Sequence, residues 1–359
     1  MPNQSDVKQK IRVLVVDDSA FVRRAIIRMF ENSPEISIID VAADGEMAID
    51  LIKRNRPDVV TLDVQMPVLD GLSALARIMK ECPTPVIMLS SLTGKGGDQT
   101  LKALDLGAVD FIDKSSAGGS MEFNRLQQEL ISKILVAARI DLSKIRSQSE
   151  KAEIHTEKPS TSQGIVHSTD SEAIFVGTST GGPPALMSVL SALPPSIRVP
   201  LFIVQHMPVG FTASLAQRLD KACRIRVKEA ENNEIATPGT AYIAPGGMQM
   251  TVKRSKRDGE VRICLDELPT DTLHKPSVDV LFQSAAEQFG NKSLAFVLTG
   301  MGKDGSVGAT LIKKAGGRIY VESEMTSVVF GMPKAVMDAV TVDGVLPLQS
   351  MAETMVKLT

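Results

Sequence analysis

At 359 residues the chain is too long for one ordinary core and comfortable for two, and 43% hydrophobic with 23% charged residues is the balance of a globular protein. A formal net charge of −2 argues against a polyanion-binding surface as the main task, because nucleic-acid binders carry a clear basic excess. Cys82, Cys223 and Cys264 are far apart and sit in no CxxC or Cys/His cluster, which excludes a disulfide framework or zinc site and fits a reducing compartment.

Residues 1–10 are polar, without the apolar stretch of a signal peptide, and no apolar run approaches the roughly 18 residues that span a bilayer. The expectation is a cytoplasmic chain with no membrane insertion. Histidine is scarce: His155, His167, His206 and His274 are the four imidazoles available for acid/base work.

In chain order, residues 11–16 form an apolar run that reads as a strand. A helix follows with Val22, Ala25, Ile26 and Met29 on one face, the i, i+3, i+4, i+7 spacing. Strands are predicted at 36–39, 58–62, 86–89 and 109–112, helices at 46–54, 72–80 and 99–106, and a last helix at about 120–140. Five strands with intervening helices predict a doubly wound, flavodoxin-like parallel sheet. Residues 141–171 are rich in Ser, Thr, Lys, Glu and Gln and lack aromatics, so they cannot bury enough apolar surface to offset chain entropy and read as a tether. His155 and His167 lie there and are poor members of a preorganised site.

A second α/β pattern follows. Strands are predicted at 173–178, 201–205, 241–244, 294–299 and 318–322, with a hairpin around Asp258-Gly259. Helices are predicted at 184–193, 211–223, 278–289 and 307–315, with a terminal one after Pro333.

In the first half Asp17 and Asp18 follow the first strand, Asp63 the third, Ser90 ends the fourth and Lys114 ends the fifth. The carboxyl ends of parallel strands share one edge, where ligands bind. Carboxylates meeting there need a hard cation between them, and Mg²⁺ fits. Asp63 then serves as a phosphoryl acceptor, with Lys114 balancing oxygen charge and Ser90 donating a hydrogen bond. The competing reading makes the three aspartates helix caps.

In the second half Gly177-Thr178-Ser179-Thr180-Gly181 fits G-x-S-x-G between a strand and a helix, the setting of a nucleophile elbow. His206 and Asp304 each follow another strand, so parallel pairing brings Ser179, His206 and Asp304 to one edge as nucleophile, base and orienting acid. A rival set, Ser179 with Asp266 or Asp271 and His274, follows the usual α/β-hydrolase order but is placed by no parallel strand.

These motifs carry two resemblances. Residues 11–114, through Asp63, Met66-Pro67, Asp70-Gly71 and Lys114, resemble a response-regulator receiver domain. The resemblance implies Asp63 as phosphoacceptor, Asp17 and Asp18 with Asp63 as the Mg²⁺ pocket, and Ser90, Phe111 and Lys114 as the switch set. Ser115 departs from the proline usual after the lysine. Residues 173–340 resemble the catalytic domain of the CheB-type chemotaxis methylesterases, through 177–182, Gln205-His206-Met207-Pro208, 242–247, 274–279 and 300–305. Thr178 stands where alanine is common.

The second resemblance implies hydrolysis of glutamyl methyl esters on methyl-accepting chemotaxis receptors, releasing methanol, with deamidation of receptor glutamines. Ser179, His206 and Asp304 would be catalytic, Thr180 and Met301 would line the oxyanion region, and the ester chemistry would need no cofactor. The chemotaxis histidine kinase CheA would be the phosphodonor. The expected division is a receiver at 8–128, helix and linker at 129–171, and the catalytic domain at 172–359. A phosphorylation-switched adaptor without chemistry is the alternative from another class. A nucleotide-binding output half lacks G-x-G-x-x-G and a Walker lysine.

Overall fold

The computed structural model describes residues 10–90, 96–114, 120–145 and 171–359, and the chain divides into two compact units, 1–143 and 144–359. His155, His167, Ser115 and nearly all of the expected tether lie outside the described residues. No described helix is long and apolar enough to cross a membrane.

The first unit is a five-stranded, wholly parallel sheet in the order β2-β1-β3-β4-β5. Its strands are β1 (Ile11–Val16), β2 (Ile36–Ala42), β3 (Val59–Asp63), β4 (Val86–Ser90) and β5 (Asp110–Asp113). Its helices are α1 (Ala20–Phe30), α2 (Gly45–Asn55), α3 (Gly71–Glu81), α4 (Gly96–Asp105) and α5 (Ser120–Ala137). The expected boundary at 128 falls inside α5. β3 and β4 are buried at every residue, as a central strand covered on both faces requires. Ser19, Asp44 and Asp70 cap α1, α2 and α3, their side chains accepting from Val22 N, Met47 N and Ser73 N. Capping therefore falls to other residues, and Asp17, Asp18 and Asp63 are free for a different task.

The second unit holds a seven-stranded parallel sheet in the order β14-β13-β12-β6-β7-β9-β8 and an antiparallel hairpin, β10 (Gln249–Arg254) with β11 (Val261–Asp266). The large sheet comprises β6 (Ala173–Thr178), β7 (Leu201–Gln205), β8 (Arg226–Glu229), β9 (Thr240–Ile243), β12 (Ser293–Val297), β13 (Arg318–Glu322) and β14 (Gly344–Leu346). The helices are α6 (Gly182–Ala192), α7 (Phe211–Ala222), α8 (Val278–Phe289), α9 (Ser306–Lys314), α10 (Met332–Ala339) and α11 (Met351–Lys357).

Register builds the core beneath the site. Phe175 on β6 pairs with Phe202 on β7, which pairs with Tyr242 on β9, and the rings stack at 5.4 and 5.8 Å. Each such ring contributes about 1.5–3 kcal/mol on burial, with further stabilisation from the stacking. Phe282 and Phe289 of α8 join this cluster. They fix the helix whose first turn reaches the carboxyl edge of the large sheet.

Candidate active site

The three central strands of the second sheet are adjacent in the order β12-β6-β7, and each predicted catalytic residue lies just past the carboxyl end of one of them. Ser179 follows β6. Its N–H donates to Thr299 O at 3.1 Å and its carbonyl accepts from Gln205 Nε2 at 2.9 Å. His206 follows β7 and its N–H donates to Thr178 O at 3.1 Å. The elbow thus hangs between its two neighbouring strands.

The glycines of the elbow have separate reasons. A Cβ on Gly177 would run into Val278 at the start of α8. Gly181 begins α6 at φ +78°, a conformation that favours glycine, and Gly182 N turns back to Ser179 O at 2.8 Å. The N-terminus of α6 then lies beside Ser179 and directs its positive end there.

Asp304 is surrounded by donors. Oδ1 accepts from Ser277 Oγ (2.9 Å), Asp279 N (2.9 Å) and Gly305 N (3.1 Å); Oδ2 accepts from Val278 N (2.7 Å) and lies 2.7 Å from His206 Nε2. Burial alone would raise its pKa, but His206 and the N–H groups at the head of α8 hold it well below the usual carboxylate range. Its neighbour Asp279 is pushed the other way, to about 6, first by burial and then by the charge on Asp304, against the pull of Gly308 N at 2.7 Å.

Asp304 lies at Nε2, and the other ring nitrogen of His206, Nδ1, is buried and has no hydrogen-bond partner. His274 stacks on His206 with centroids 4.0 Å apart and planes 18° from parallel, so it confines the imidazole. The rival acids are elsewhere: Asp266 and Asp271 are exposed, and Asp266 caps its own turn at Leu268 N.

Thr180 is buried, its carbonyl held by Thr299 Oγ1 at 2.9 Å. Met301 is half-buried in a loop pinned where Gly331 N and Met332 N both donate to Gly300 O, at 3.1 and 2.9 Å. Sequence reasoning missed Gln205, Thr299 and Ser277. Gln205 had a signal, a polar residue ending an otherwise apolar strand, and it is 2% exposed.

In the first unit Asp17, Asp18 and Asp63 each offer a carboxylate oxygen within 4.8 Å of the others. Lys114 Nζ lies 2.9 Å from Asp17 Oδ2 and 2.8 Å from Asp63 Oδ2. Burial pushes the Asp63 carboxyl up, Lys114 pulls it down and Asp17 pushes it up again. Burial would also lower Lys114, but its bonds to Asp63 and Asp17 outweigh that and raise it. Three carboxylates against one ammonium leave a negative excess in an all-oxygen set, which suits a hard divalent cation. Ser90 is buried and accepts from Thr100 Oγ1 at 2.8 Å, and Phe111 is buried on β5.

Comparison with known proteins places both halves of the chain in known families. The family model described as CheB methylesterase matches residues 174–355, and the response regulator receiver domain model matches 13–122. A protein-glutamate methylesterase/protein-glutamine glutaminase of Bacillus licheniformis is 47% identical over 336 residues, covering 91% of this chain and 92% of its own length. One of the same name from Pyrococcus horikoshii is 43% identical over 355 residues, covering 97% and 94%. The solved CheB methylesterase catalytic domain of Thermotoga maritima is 42% identical with a TM-score of 0.51, covering 53% of this chain and 99% of that domain.

Proposed function

The chain belongs to the CheB methylesterase family and carries a response regulator receiver domain, and from that premise we propose that it is a phosphorylation-activated hydrolase acting on glutamyl methyl esters of chemoreceptors in the cytoplasm. The same acyl chemistry on receptor glutamines releases ammonia, as the names of its relatives describe. The catalytic domain is taken as 172–359, and the receiver as running from residue 8 to the end of α5 at Ala137 rather than stopping at 128.

The observation that carries the reading is the Asp304–His206 pair at 2.7 Å, with Nδ1 unpartnered at the strand edge that also presents Ser179. Ser179 Oγ attacks the ester carbonyl carbon as its proton passes to His206 Nδ1. Asp304 Oδ2 stabilises the imidazolium through Nε2–H. The carbonyl oxygen becomes an oxyanion received by backbone N–H groups at Thr180 and Met301. The C–O bond to methoxide then breaks, His206 returns the proton, and methanol leaves. Water, deprotonated by the same nitrogen, cleaves the acyl-serine.

In the receiver, Asp63 accepts the phosphoryl group, with CheA as the donor kinase. Mg²⁺, held by Asp17, Asp18 and Asp63, would neutralise phosphoryl oxygens when bound. Lys114 and Ser90 take further oxygens, and Phe111 with them reports the change. Phosphorylation shifts the population toward the active state.

Methyl-labelled chemoreceptor membranes test this. The chain should release labelled methanol, and phosphorylated CheA with Mg²⁺ should raise the rate about tenfold or more. D63A should make the rate indifferent to CheA. No methanol from receptors, or undiminished stimulation of D63A, would contradict the reading.

A further inference from the structure

Behind the elbow lies a carboxyl the mechanism does not use. Glu322, the last residue of β13, is 0% exposed. Its Oε2 accepts from Thr299 N at 2.8 Å, while Oε1 is sealed from solvent without a hydrogen-bond partner. Thr299 is the residue on which the elbow hangs. Its carbonyl accepts from Ser179 N at 3.1 Å and Thr178 Oγ1 at 2.9 Å, and its hydroxyl donates to Thr180 O at 2.9 Å. One side chain therefore stands behind a residue that helps to fix both Ser179 and the neighbouring Thr180 segment.

We propose that Glu322 is a positioning residue for the hydrolytic site, acting through Thr299, and that its charge tunes the rate. The inference rests on the serine-hydrolase reading above. A buried acid with one unpartnered oxygen is a poor host for a negative charge. Burial pushes its pKa up to about 7, against the opposing pull of Thr299 N–H, Thr326, Lys144 and Ser327. Of these, Thr299, Thr326 and Ser327 are uncharged. Lys144 supplies the cationic field, its Nζ donating to Glu324 O at 2.7 Å and Ser327 O at 3.3 Å.

The sign follows. Below neutral pH Glu322 is a neutral acid. Above it, a buried anion stands behind the segment that must receive the oxyanion, and the two negative charges oppose each other. Folding feels the same asymmetry. The native state holds a proton that the unfolded chain gives up near 4.5, so this contribution to stability falls as pH rises from about 4.5 to about 7 and is constant above.

The test is the pH profile of kcat for methanol release by the full chain and by E322Q, which keeps shape and acceptor but cannot ionise. Wild type should lose activity through neutral pH relative to E322Q, by roughly tenfold at the alkaline end, the order of effect of one added buried charge at an effective dielectric near 20. Infrared difference spectra should show, beyond the Asp279 band common to both proteins, a protonated-carboxyl band of wild type that titrates near neutral pH and is missing from E322Q. Profiles of the same shape, or a wild-type carboxyl that ionises in the ordinary acid range, would overturn the proposal. Its failure is separable from that of the parent reading: an S179A chain that still hydrolyses ester removes the serine mechanism, whereas coincident profiles with S179A inactive remove only Glu322.

Discussion

Replacing Ser179 by alanine should cut glutamyl methyl ester hydrolysis at least about 10⁴-fold in kcat, with receptor binding little changed. The size follows from the loss of the attacking hydroxyl. Water attacking directly would still find His206 Nδ1 and the oxyanion donors, which accounts for a residue of catalysis over solution. The substitution removes one half-buried hydroxyl, since the elbow is held by Thr299 and Gln205 through its backbone. The fold should therefore survive, and circular dichroism with a thermal melt checks that directly. An adaptor without chemistry would lose nothing in this variant.

The second large effect is expected from Asp304→Asn. Both oxygens of Asp304 face donors only, three at Oδ1 and two at Oδ2 counting His206 Nε2. An amide must turn its NH₂ against two of them or force His206 into the other tautomer, which places the proton on the nitrogen that should accept one. A fall of about 10⁴-fold in kcat is expected for the loss of tautomer control. Stability should fall by about 1–3 kcal/mol, because N–H groups at the head of α8 lose a charged acceptor. Since the native Asp304 pKa is depressed below 3.8, its contribution is complete above that pH and lost as pH falls below it. Melts of the two proteins should converge in acid.

Much of this arrangement could be read from sequence, for a physical reason. Parallel central strands are short apolar runs, and whatever follows them must arrive at one sheet edge. That logic brings Ser179, His206 and Asp304 to one edge, and there His206 and Asp304 pair at 2.7 Å. It also extended β12 to Thr299, whereas the ladder ends at Val297 because the N–H and carbonyl of Thr299 are diverted to Glu322 and Ser179. The edges were harder. β8 and β14 were not foreseen, being short and only partly buried, so neither shows the apolar run of an interior strand. α11 has seven residues, too few to establish a periodicity.

The supporting side chains were least legible. Gln205, Thr299 and Ser277 are ordinary polar residues in the sequence, and their roles exist only through contacts made across strands. The stacking of His274 on His206 shows the same limit: its sequence position suggests a rival base, and a ring contact between the two imidazoles is not legible in a sequence.

The most direct measurement is covalent labelling. The full chain, treated with a serine-directed fluorophosphonate and digested, should yield one modified peptide carrying the label at position 179, and H206A should label far more slowly. A label on any other residue, or none while ester hydrolysis proceeds, would mean that the hydroxyl, imidazole and carboxylate at this sheet edge are not the catalyst.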